Sequence, residues 1–450
     1  MKHHGHSPFS PAKLPFFYGW VILVAGTIGV LMSIPGQTVG VSVFTENLLA
    51  DLQINRNNLS LAYLIGTLGS GLLITRAGKY YDKYGARVMA FTAGVMLGLM
   101  LVYLTRIDVA VDALGNWDWL SPEVATFVML SIGFWGIRFF GQGMLTMVSR
   151  NMVMKWFIRR RGMANAVLGI FTAFGFSLAP RILDLFINRL EWKGAWMMLA
   201  LIVGIGFTVF VLVIFRDNPL DSGCEADGKK GFKGNSKRPP SLPDRDYSLR
   251  EARRTLAFWA FTTALSLAAL YVTGLTFHVV SIFETAGLTE SKALGIFLPT
   301  SIIAMVIQFA LGNASDYVRL KYLLLLFMIG MLLTSSGLTL LGSRPGAYWL
   351  IISGNGLVWG LWTVLVGVTW PRFFGLKNLG AISGFSMSWT VIGSAMGPYL
   401  FSLSKNFTGG YEMVGWVCIG LSILLFMFAF KADNPGEPVT NQEHNPKDKA

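Results

Sequence analysis

The sequence is poor in charge and in cysteine. Only 14% of its 450 residues are charged, whereas a soluble globular chain carries about 25%. The two cysteines, Cys224 and Cys418, lie in a polar and an apolar stretch, which excludes a disulfide framework and a cysteine metal site. No GxxxxGK[ST], GxSxG or HExxH motif occurs, so neither ATP-driven pumping nor a common hydrolase is indicated. We therefore expect no enzyme, no cofactor and no bound metal.

The chain is instead rich in apolar residues, which make up 53% of it. About twelve apolar stretches approach or exceed the ~20 residues that cross a bilayer as a helix. They lie near residues 17–44, 59–77, 87–105, 124–149, 163–187, 195–215, 255–280, 292–314, 322–341, 347–370, 380–404 and 411–430. The pattern predicts an all-α integral membrane protein with twelve transmembrane helices.

The net charge of +13 is explained by membrane topology. If the N-terminus lies inside, most of the 37 lysines and arginines fall in the inner loops and tails, as cytoplasmic loops require. This distribution predicts a multi-pass protein of a bacterial-type inner membrane with both termini in the cytoplasm. It also excludes a nucleic-acid partner and leaves a small-molecule substrate, protons and the lipid bilayer.

One long polar segment, 216–254, divides the apolar stretches into two groups of six. It is rich in glycine, proline, serine and charge, which is typical of a flexible linker. The sequence thus predicts five parts: an N-terminal tail 1–16, a helix bundle 17–215, the linker 216–254, a second bundle 255–431 and a C-terminal tail 432–450.

The two groups of spans repeat each other in sequence. A shift of 218 residues places Gly162 on Gly380 and Pro180 on Pro398. A shift of 234 residues sets the segment 78–87 beside 312–321. We interpret this as two pseudo-symmetric six-helix bundles related by an axis along the membrane normal, which places a substrate site between them near the midplane.

Two motifs give the chain a family resemblance. Gly78-Lys-Tyr-Tyr-Asp82-Lys-Tyr-Gly85-Ala-Arg87 resembles the signature loop of the major facilitator superfamily, and Gly312, Asp316 and Arg319 form a degenerate copy of it. Arg138-Phe-Phe-Gly-Gln142-Gly is similar to the buried-arginine motif of that superfamily. The resemblance implies the major facilitator fold and a secondary transporter that works as a monomer by alternating access.

The segments 157–166 and 17–20 further resemble the monocarboxylate and oxalate/formate transporters. That resemblance implies a small organic anion as substrate, carried with protons. However, span eight lacks arginine and span eleven lacks lysine, the cations that bind carboxylate in those families. This departure favours an alternative, the export of a neutral solute, drug or siderophore. A further alternative is a membrane sensor that no longer transports.

The 78–87 loop has a physical role beside its family label. We expect Asp82 to accept hydrogen bonds from free N–H groups at the start of span eleven, near Leu379, where the helix dipole favours an anion. Such a contact would act as a gate latch that breaks when the two bundles rock. The other interpretation is that the loop only supplies basic residues that set topology.

Two ionisable residues inside spans are candidates for function. Arg138 is too deep to reach a headgroup, so it faces the protein interior and either binds an anionic substrate or cross-links helices. A histidine ordinarily titrates near neutral pH, so His278 is the candidate for proton coupling, with a structural role as the alternative. Gln142 lies one turn from Arg138 and extends a polar patch on the same face.

Other residues are candidates by type and position. Small residues four apart, followed by proline, predict close helix packing and a hinge; they are Gly175, Pro180, Gly393, Gly397 and Pro398. Polar and aromatic residues inside spans are candidates for lining a substrate cavity, with packing or membrane-belt roles as the alternative; they are Gln37, Gln308, Asn355, Trp359, Trp362 and Trp389.

Overall fold

A computed structural model describes residues 8–114, 121–227, 243 and 245–435. Within these residues the regular structure is helical, with no β-strand. Parts of both predicted tails and most of the predicted linker lie outside the described residues.

Nine segments of the described chain are long and apolar enough to cross a membrane. Two of them, Arg56–Leu104 and Arg161–Ile214, each contain one residue with non-helical dihedral angles, Gly85 and Glu191, and so consist of two helices each. A further helix of 30 residues, Leu379–Thr408, lies outside that apolar set. The described residues therefore form twelve long helices, and the prediction of an all-α membrane protein is confirmed.

We number these helices α1 to α12 in chain order. In the first half they are α1 (Gly19–Leu31), α2 (56–84), α3 (86–104), α4 (Pro122–Trp156), α5 (161–190) and α6 (192–214). In the second half they are α7 (Leu256–Thr285), α8 (Phe297–Ala314), α9 (Leu320–Leu340), α10 (Ala347–Phe374), α11 (Leu379–Thr408) and α12 (Glu412–Ala429).

Side-chain hydrogen bonds cap the N-terminal ends of several of these helices. The side chain of Asn55 accepts the backbone N–H of Asn58 at 2.8 Å at the start of α2. Thr255 accepts from Phe258 at 3.2 Å at the start of α7, after a short helix, Leu249–Ala252, that begins with a capping box. Such caps satisfy N–H groups that have no partner within the helix.

The first predicted span, 17–44, is not one continuous helix. α1 ends at Leu31, and a 3₁₀ turn, Ile34–Gly36, and a short helix, Thr38–Ser42, follow it. Proline has no backbone N–H to donate and glycine is a poor helix former, so Pro35-Gly36 interrupts the helix. The apolar stretch 17–44 thus contains a shorter helix followed by an irregular segment.

The break in α1 packs against a second irregularity. The middle of α4, Arg138–Leu145, is wound as a π-helix. A side chain at Gly36 would collide with the carbonyl of Ile137 and approach the Cα of Gly141 to 3.0 Å. Because π-helical turns and broken helices occur frequently at functional sites, this contact is a candidate functional site.

The second half is held together along α7 and α11. Gly393 and Gly397 of α11 leave room for the backbone carbonyls of Ser266 and Leu270 of α7, which a Cβ would meet at 2.5 Å and 2.2 Å. Close approach of this kind drives helix association in lipid, where apolar side chains gain nothing from leaving the solvent. The Gly393 and Gly397 positions are thus packing contacts within one half.

Candidate substrate site and gate

Asp82, at the end of α2, bonds the start of α11 in the other half. Its two carboxylate oxygens accept the backbone N–H groups of Gly380 and Ala381, each at 2.7 Å. These N–H groups have no partner within their own helix, and the helix dipole favours an anion beside them. The hydrogen bonds predicted for Asp82 are therefore present.

The repeat-related residue Asp316 makes the same contact in the opposite direction. It follows α8 and accepts the N–H groups of Gly162 at 2.8 Å and Met163 at 3.4 Å, at the start of α5. Each half thus supplies one aspartate that caps one helix of the other half. We call this pair of contacts the reciprocal caps.

Four glycines let the halves come this close. A Cβ on Gly78 would lie 2.0 Å from the carbonyl oxygen of Gly380, and one on Gly162 would lie 1.9 Å from that of Gly312. The 218- and 234-residue shifts found in the sequence relate these two pairs to each other. Any larger residue at these positions would force the backbones apart and stretch the reciprocal caps.

Buried amides reinforce the same interface. Gln308 of α8, predicted as a cavity residue, is buried and donates to the backbone carbonyl of Ala166 at 2.9 Å. Asn165 of α5 donates in the other direction to the carbonyl of Thr363, and Asn151 donates to Ser383 at 2.8 Å. Gln308 therefore joins the two halves and does not face an open space between them.

The hydrogen bonds between the two halves are concentrated at one end of the helices. The hydrogen bonds that join the two halves among the described residues all lie toward the end of the helices where the linker begins and ends. We call this the linker end, and the other the far end. In this conformation the halves are closed against each other at the linker end.

The remaining loop residues contact the segments that directly follow their own half. Gly85 has a φ of +83°, in the region that favours glycine, and it leaves space for Asp217, which accepts the N–H of Arg87 at 2.8 Å. Arg319 instead pairs with Asp433 at 3.5 Å, an exposed contact. These residues hold the loops from which the reciprocal caps project.

The predicted linker is anchored at both of its described ends. Asp227 accepts the N–H groups of Ile158 and Arg159, at 3.0 Å and 2.9 Å, between α4 and α5. Asp246 accepts those of Leu376 and Lys377, at 2.8 Å and 3.1 Å, between α10 and α11. The 218-residue shift relates these two loops, so the linker holds equivalent loops of both halves.

Burial raises the pKa of Asp316 to about 6, although the N–H groups of Gly162 and Met163 act against this shift. The Asp316 carboxyl therefore binds a proton more tightly in the closed conformation than in a conformation that exposes it to water, where its pKa is 3.8. Protonation of Asp316 stabilises the closed conformation fully below pH 3.8, and this stabilisation is lost as the pH rises through about 6.

We therefore expect acidification from pH 7 to pH 5 to favour closure at the linker end. The change can be followed as a slower alkylation of the thiol introduced by Ser383→Cys, in a protein from which the native cysteines are removed, because Ser383 is buried in this interface. In Asp316→Asn, which cannot titrate, this pH dependence should be weaker. An identical pH profile in the two proteins would contradict the assignment.

Arg138 is fully buried beside the break in α1. Its Nη1 donates to the carbonyl of Gly36 and to the hydroxyl of Thr38, both at 3.3 Å, and its guanidinium lies 5.1 Å from the ring centroid of Tyr63. Its Nε is buried without a hydrogen-bond partner in the described part of the chain. Arg138 therefore connects α4 to the carbonyl that the broken helix leaves free.

Gln37 lies in the same place. Its amide donates to Ser33 at 2.9 Å and to Thr146 at 3.2 Å, and Thr146 donates to Ser33 at 3.1 Å. Gln142, on the same π-helical segment as Arg138, has a buried Oε1 with no hydrogen-bond partner among the described residues. The structure thus places Arg138 and Gln142 on the π-helical segment of α4 that meets the segment carrying Gln37, and we call this region the α1–α4 polar site.

In the second half the polar candidates lie on α10. Asn355 is buried, and within the described part of the chain neither its Oδ1 nor the buried Nε1 of Trp359, one turn on, has a hydrogen-bond partner. Trp362 is partly buried on the same helix. Trp389 of α11 is 40% exposed, and its ring packs edge-on against Trp259 at 5.7 Å. A donor and an acceptor are thus free on one face of α10.

His278 of α7 contacts the candidate hinge of α11. Its Nε2 lies 2.9 Å from the carbonyl oxygen of Pro398 and 3.3 Å from the hydroxyl of Ser402, and its ring stacks on Phe401. Because a carbonyl only accepts, Nε2 carries the proton and Nδ1 is the atom that can take up a second one. The contact joins α7 to α11 within one half.

The other candidate hinge residues lie in α5. Pro180 is inside the helix, and Gly175 leaves room for Leu31 at the end of α1. The described residues contain no group of three histidine, cysteine, aspartate or glutamate side chains that could hold a metal ion.

Sequence reasoning missed several residues that the structure places at these sites. Ser33, Thr38 and Thr146 hold the α1–α4 polar site together. The Pro35-Gly36 pair could have revealed it, because it interrupts an otherwise apolar span. Asp227 and Asp246 carried no signal, since isolated acidic residues are ordinary in a polar linker.

Comparison with known proteins agrees with this geometry. The family model of the Major Facilitator Superfamily matches residues 25–398. The chain is 21% identical to the hexuronate transporter of Bacillus subtilis (strain 168), over 97% of this chain and 99% of that protein.

Solved structures share the fold. The proton:xylose symporter XylE, bound to 6-bromo-6-deoxy-D-glucose, matches with a TM-score of 0.65 at 17% identity, over 92% of this chain and 95% of that one. The fucose:proton symporter of E. coli matches at 0.58 and 14%, over 93% and 100%. The human organic anion transporter MFSD10 matches at 0.57 and 16%, over 93% and 100%.

Proposed function

The chain belongs to the major facilitator superfamily of membrane transporters, and from this premise we propose that it carries a small, monocarboxylate-like organic anion by alternating access, coupled to protons. One observation carries the proposal. The guanidinium of Arg138 is buried in a membrane-spanning helix and has no carboxylate partner among the described residues.

A buried cation without a counter-ion is unfavourable by several kcal/mol, and intramembrane charges normally pair. A substrate carboxylate would supply the missing charge. The planar guanidinium can hold two carboxylate oxygens at once, and the unpartnered Nε is available for one of them. Gln37 and Gln142 extend the same polar site with an amide donor and a free amide oxygen.

The similar proteins include transporters of organic anions and transporters of neutral sugars, so they are compatible with an anionic substrate. A hexuronate is an organic anion, and one of the similar structures is an organic anion transporter. The names of the xylose and fucose symporters fit proton coupling but point to neutral sugars. The class of substrate therefore rests on Arg138.

A neutral solute is the second candidate, as substrate of an exporter with the same fold. It is favoured by the free Oδ1 of Asn355 and the free Nε1 of Trp359, which could bond a hydroxyl group. A sensor without transport is disfavoured, because both reciprocal caps are formed and a sensor has no need of a latch that must break in each cycle.

The transport cycle follows from the reciprocal caps. We assign the linker end to the cytoplasm from the distribution of lysine and arginine, so this conformation is closed to the cytoplasm. Opening requires Asp82 and Asp316 to leave the helix starts that they cap, as the bundles 17–215 and 255–431 rock about the site. A monomer in a bacterial-type inner membrane is sufficient for this cycle.

The substrate class is tested by thermal stabilisation of the purified protein. A ligand that binds the folded state raises its melting temperature. We expect small monocarboxylates or sugar acids to do so, and the corresponding amides, alcohols and neutral sugars to have no effect. Stabilisation by the neutral compounds alone would replace the anion proposal with the neutral-solute one.

Proton coupling is tested at His278. In His278→Gln we expect accumulation driven by a pH gradient to be lost, while exchange of substrate across the membrane continues. Exchange needs only reorientation of the loaded carrier, whereas accumulation needs a proton to load and unload in each cycle. Ser402→Ala removes a contact of His278 without removing a titrating group, and it should leave accumulation intact. Unchanged accumulation in His278→Gln would assign this histidine to the α7–α11 contact alone.

A further inference from the structure

The outer face of α2 carries three unpaired cations at the linker end. Arg76, Lys79 and Lys83 are exposed, and the salt bridges among the described residues include none of them. Two exposed tyrosines lie between and beside them, Tyr80 at 54% and Tyr84 at 45%. We call these five residues the basic stripe.

The contacts of α2 with other helices show which of its sides are covered by protein. Ile74 lies 2.9 Å from the Cβ position of Gly143 in α4, and Gly71 and Gly78 face Val391 and Gly380 of α11. These contacts cover the sides of α2 that meet protein. The basic stripe lies outside them.

The same outer face is apolar further along α2. Leu61, Ile65 and Leu72 are exposed at 46%, 46% and 69%. At 100° per residue, these three and the three cations fall within an arc of roughly 60°. The cations thus continue a stripe of apolar side chains that meets lipid tails, and they stand where that stripe ends.

The tyrosines fit the same boundary. The rings of Tyr80 and Tyr84 lie 6.1 Å apart, and the Nζ of Lys83 is 4.9 Å from the ring centroid of Tyr84. Tyrosine is enriched at the level of lipid headgroups, where one end of the ring is apolar and the other is in water. The carboxylate of Asp82, beside Lys83, is engaged by α11 and leaves the cations without a local counter-ion.

We propose that the basic stripe binds the phosphate headgroup of an anionic phospholipid. The exposed apolar residues hold the tails against α2, and the three cations meet the negative charge at the membrane surface. A zwitterionic lipid offers no net negative charge, so it should bind less tightly. Because Asp82 is on the adjoining face of the same turn, the lipid occupies the helix end that also supplies one of the reciprocal caps.

The test is native mass spectrometry of the purified protein with phosphatidylglycerol or phosphatidylcholine. We expect phosphatidylglycerol to be retained preferentially. In the triple variant Arg76→Gln, Lys79→Gln, Lys83→Gln the affinity for phosphatidylglycerol should fall by roughly 100-fold, from about 1 kcal/mol for each of the three cations. The charge-conserving variant Arg76→Lys, Lys79→Arg, Lys83→Arg should keep it.

The matched control removes three exposed cations from the far end, Arg106→Gln, Lys292→Gln and Arg344→Gln, and it should bind lipid as the parent does. Equal loss in both triple variants would show a general charge effect and overturn the proposal, as would unchanged binding in the stripe variant. Displacement of the lipid by excess inorganic phosphate would identify a free-anion site instead. If the triple variant does not fold, Lys79→Gln and Lys83→Gln each give a smaller loss to measure.

Discussion

Replacing Asp82 with asparagine is expected to reduce transport by roughly 10- to 100-fold while substrate binding stays measurable. Each hydrogen bond to a charged group contributes about 1.5–3 kcal/mol, and Asp82 accepts two of them from the start of α11. Asparagine keeps one oxygen but places an amide nitrogen, which only donates, against the second N–H, whereas the hydroxyl oxygen of a protonated carboxyl can still accept there. The closed conformation at the linker end loses stability, and the cycle slows because the carrier no longer returns to it readily.

The same variant should open the interface to reagents. Alkylation of the thiol introduced by Ser383→Cys should become faster when Asp82→Asn is added, because the buried contact of Ser383 with Asn151 lies in the interface that Asp82 closes. Asp221→Asn is the matched control, since Asp221 is exposed and pairs only with Asn218 among the described residues. Wild-type turnover in Asp82→Asn would contradict the latch.

The Arg138 series is expected to have the second large effect. Arg138→Gln should both lower the melting temperature and remove the stabilisation by anions. It withdraws the donor from the carbonyl of Gly36 and the hydroxyl of Thr38, about 1.5–3 kcal/mol for each bond to the charged group. It also removes the charge proposed to bind the carboxylate.

Arg138→Lys separates these two effects. The ammonium can still donate to Gly36 or Thr38, so the protein should fold, but the two-oxygen geometry is lost. We expect the affinity for the anion to fall about tenfold, the loss of one bond of about 1.4 kcal/mol, with a smaller change in melting temperature than in Arg138→Gln.

Arg56→Gln is the control, because it breaks an exposed ion pair with Glu46 and should change neither quantity. Wild-type affinity in a folded Arg138→Lys protein would place the substrate elsewhere. The free polar atoms of Asn355 and Trp359 would then be the better site.

The spans and the closing contact at Asp82 could be predicted because each rests on a strong physical constraint. A bilayer sets the length of a helix, and a duplicated chain repeats its glycines and prolines at fixed shifts. The bonds of Asp82 to the start of α11 followed from placing an acidic residue in a tight loop near a helix start.

The role of Gln308 could not be predicted in the same way. A glutamine in the middle of a span is equally suited to lining a cavity and to bonding a neighbouring backbone carbonyl. Only the tertiary structure, which brings Ala166 within 2.9 Å, decides between these two. The anchoring of the linker by Asp227 and Asp246 depends on folded loops in the same way.

The break that follows α1 could be predicted only in part. Pro35-Gly36 is a local signal, but proline and glycine also occur in continuous transmembrane helices. The decisive information is the π-helical segment of α4, whose arginine satisfies the carbonyl of Gly36. Because each irregular segment contacts the other, the site is a property of the packed pair.

The most direct test of the transport proposal is uptake of radiolabelled organic anions and neutral analogues into proteoliposomes, with and without an imposed pH gradient. We expect at least one small carboxylate to accumulate against its gradient when a pH gradient is present. Arg138→Lys should weaken this uptake, and the neutral analogue of the same carbon skeleton should not be accumulated. Accumulation of the neutral analogue alone, or uptake of the carboxylate that ignores both the pH gradient and Arg138, would contradict it.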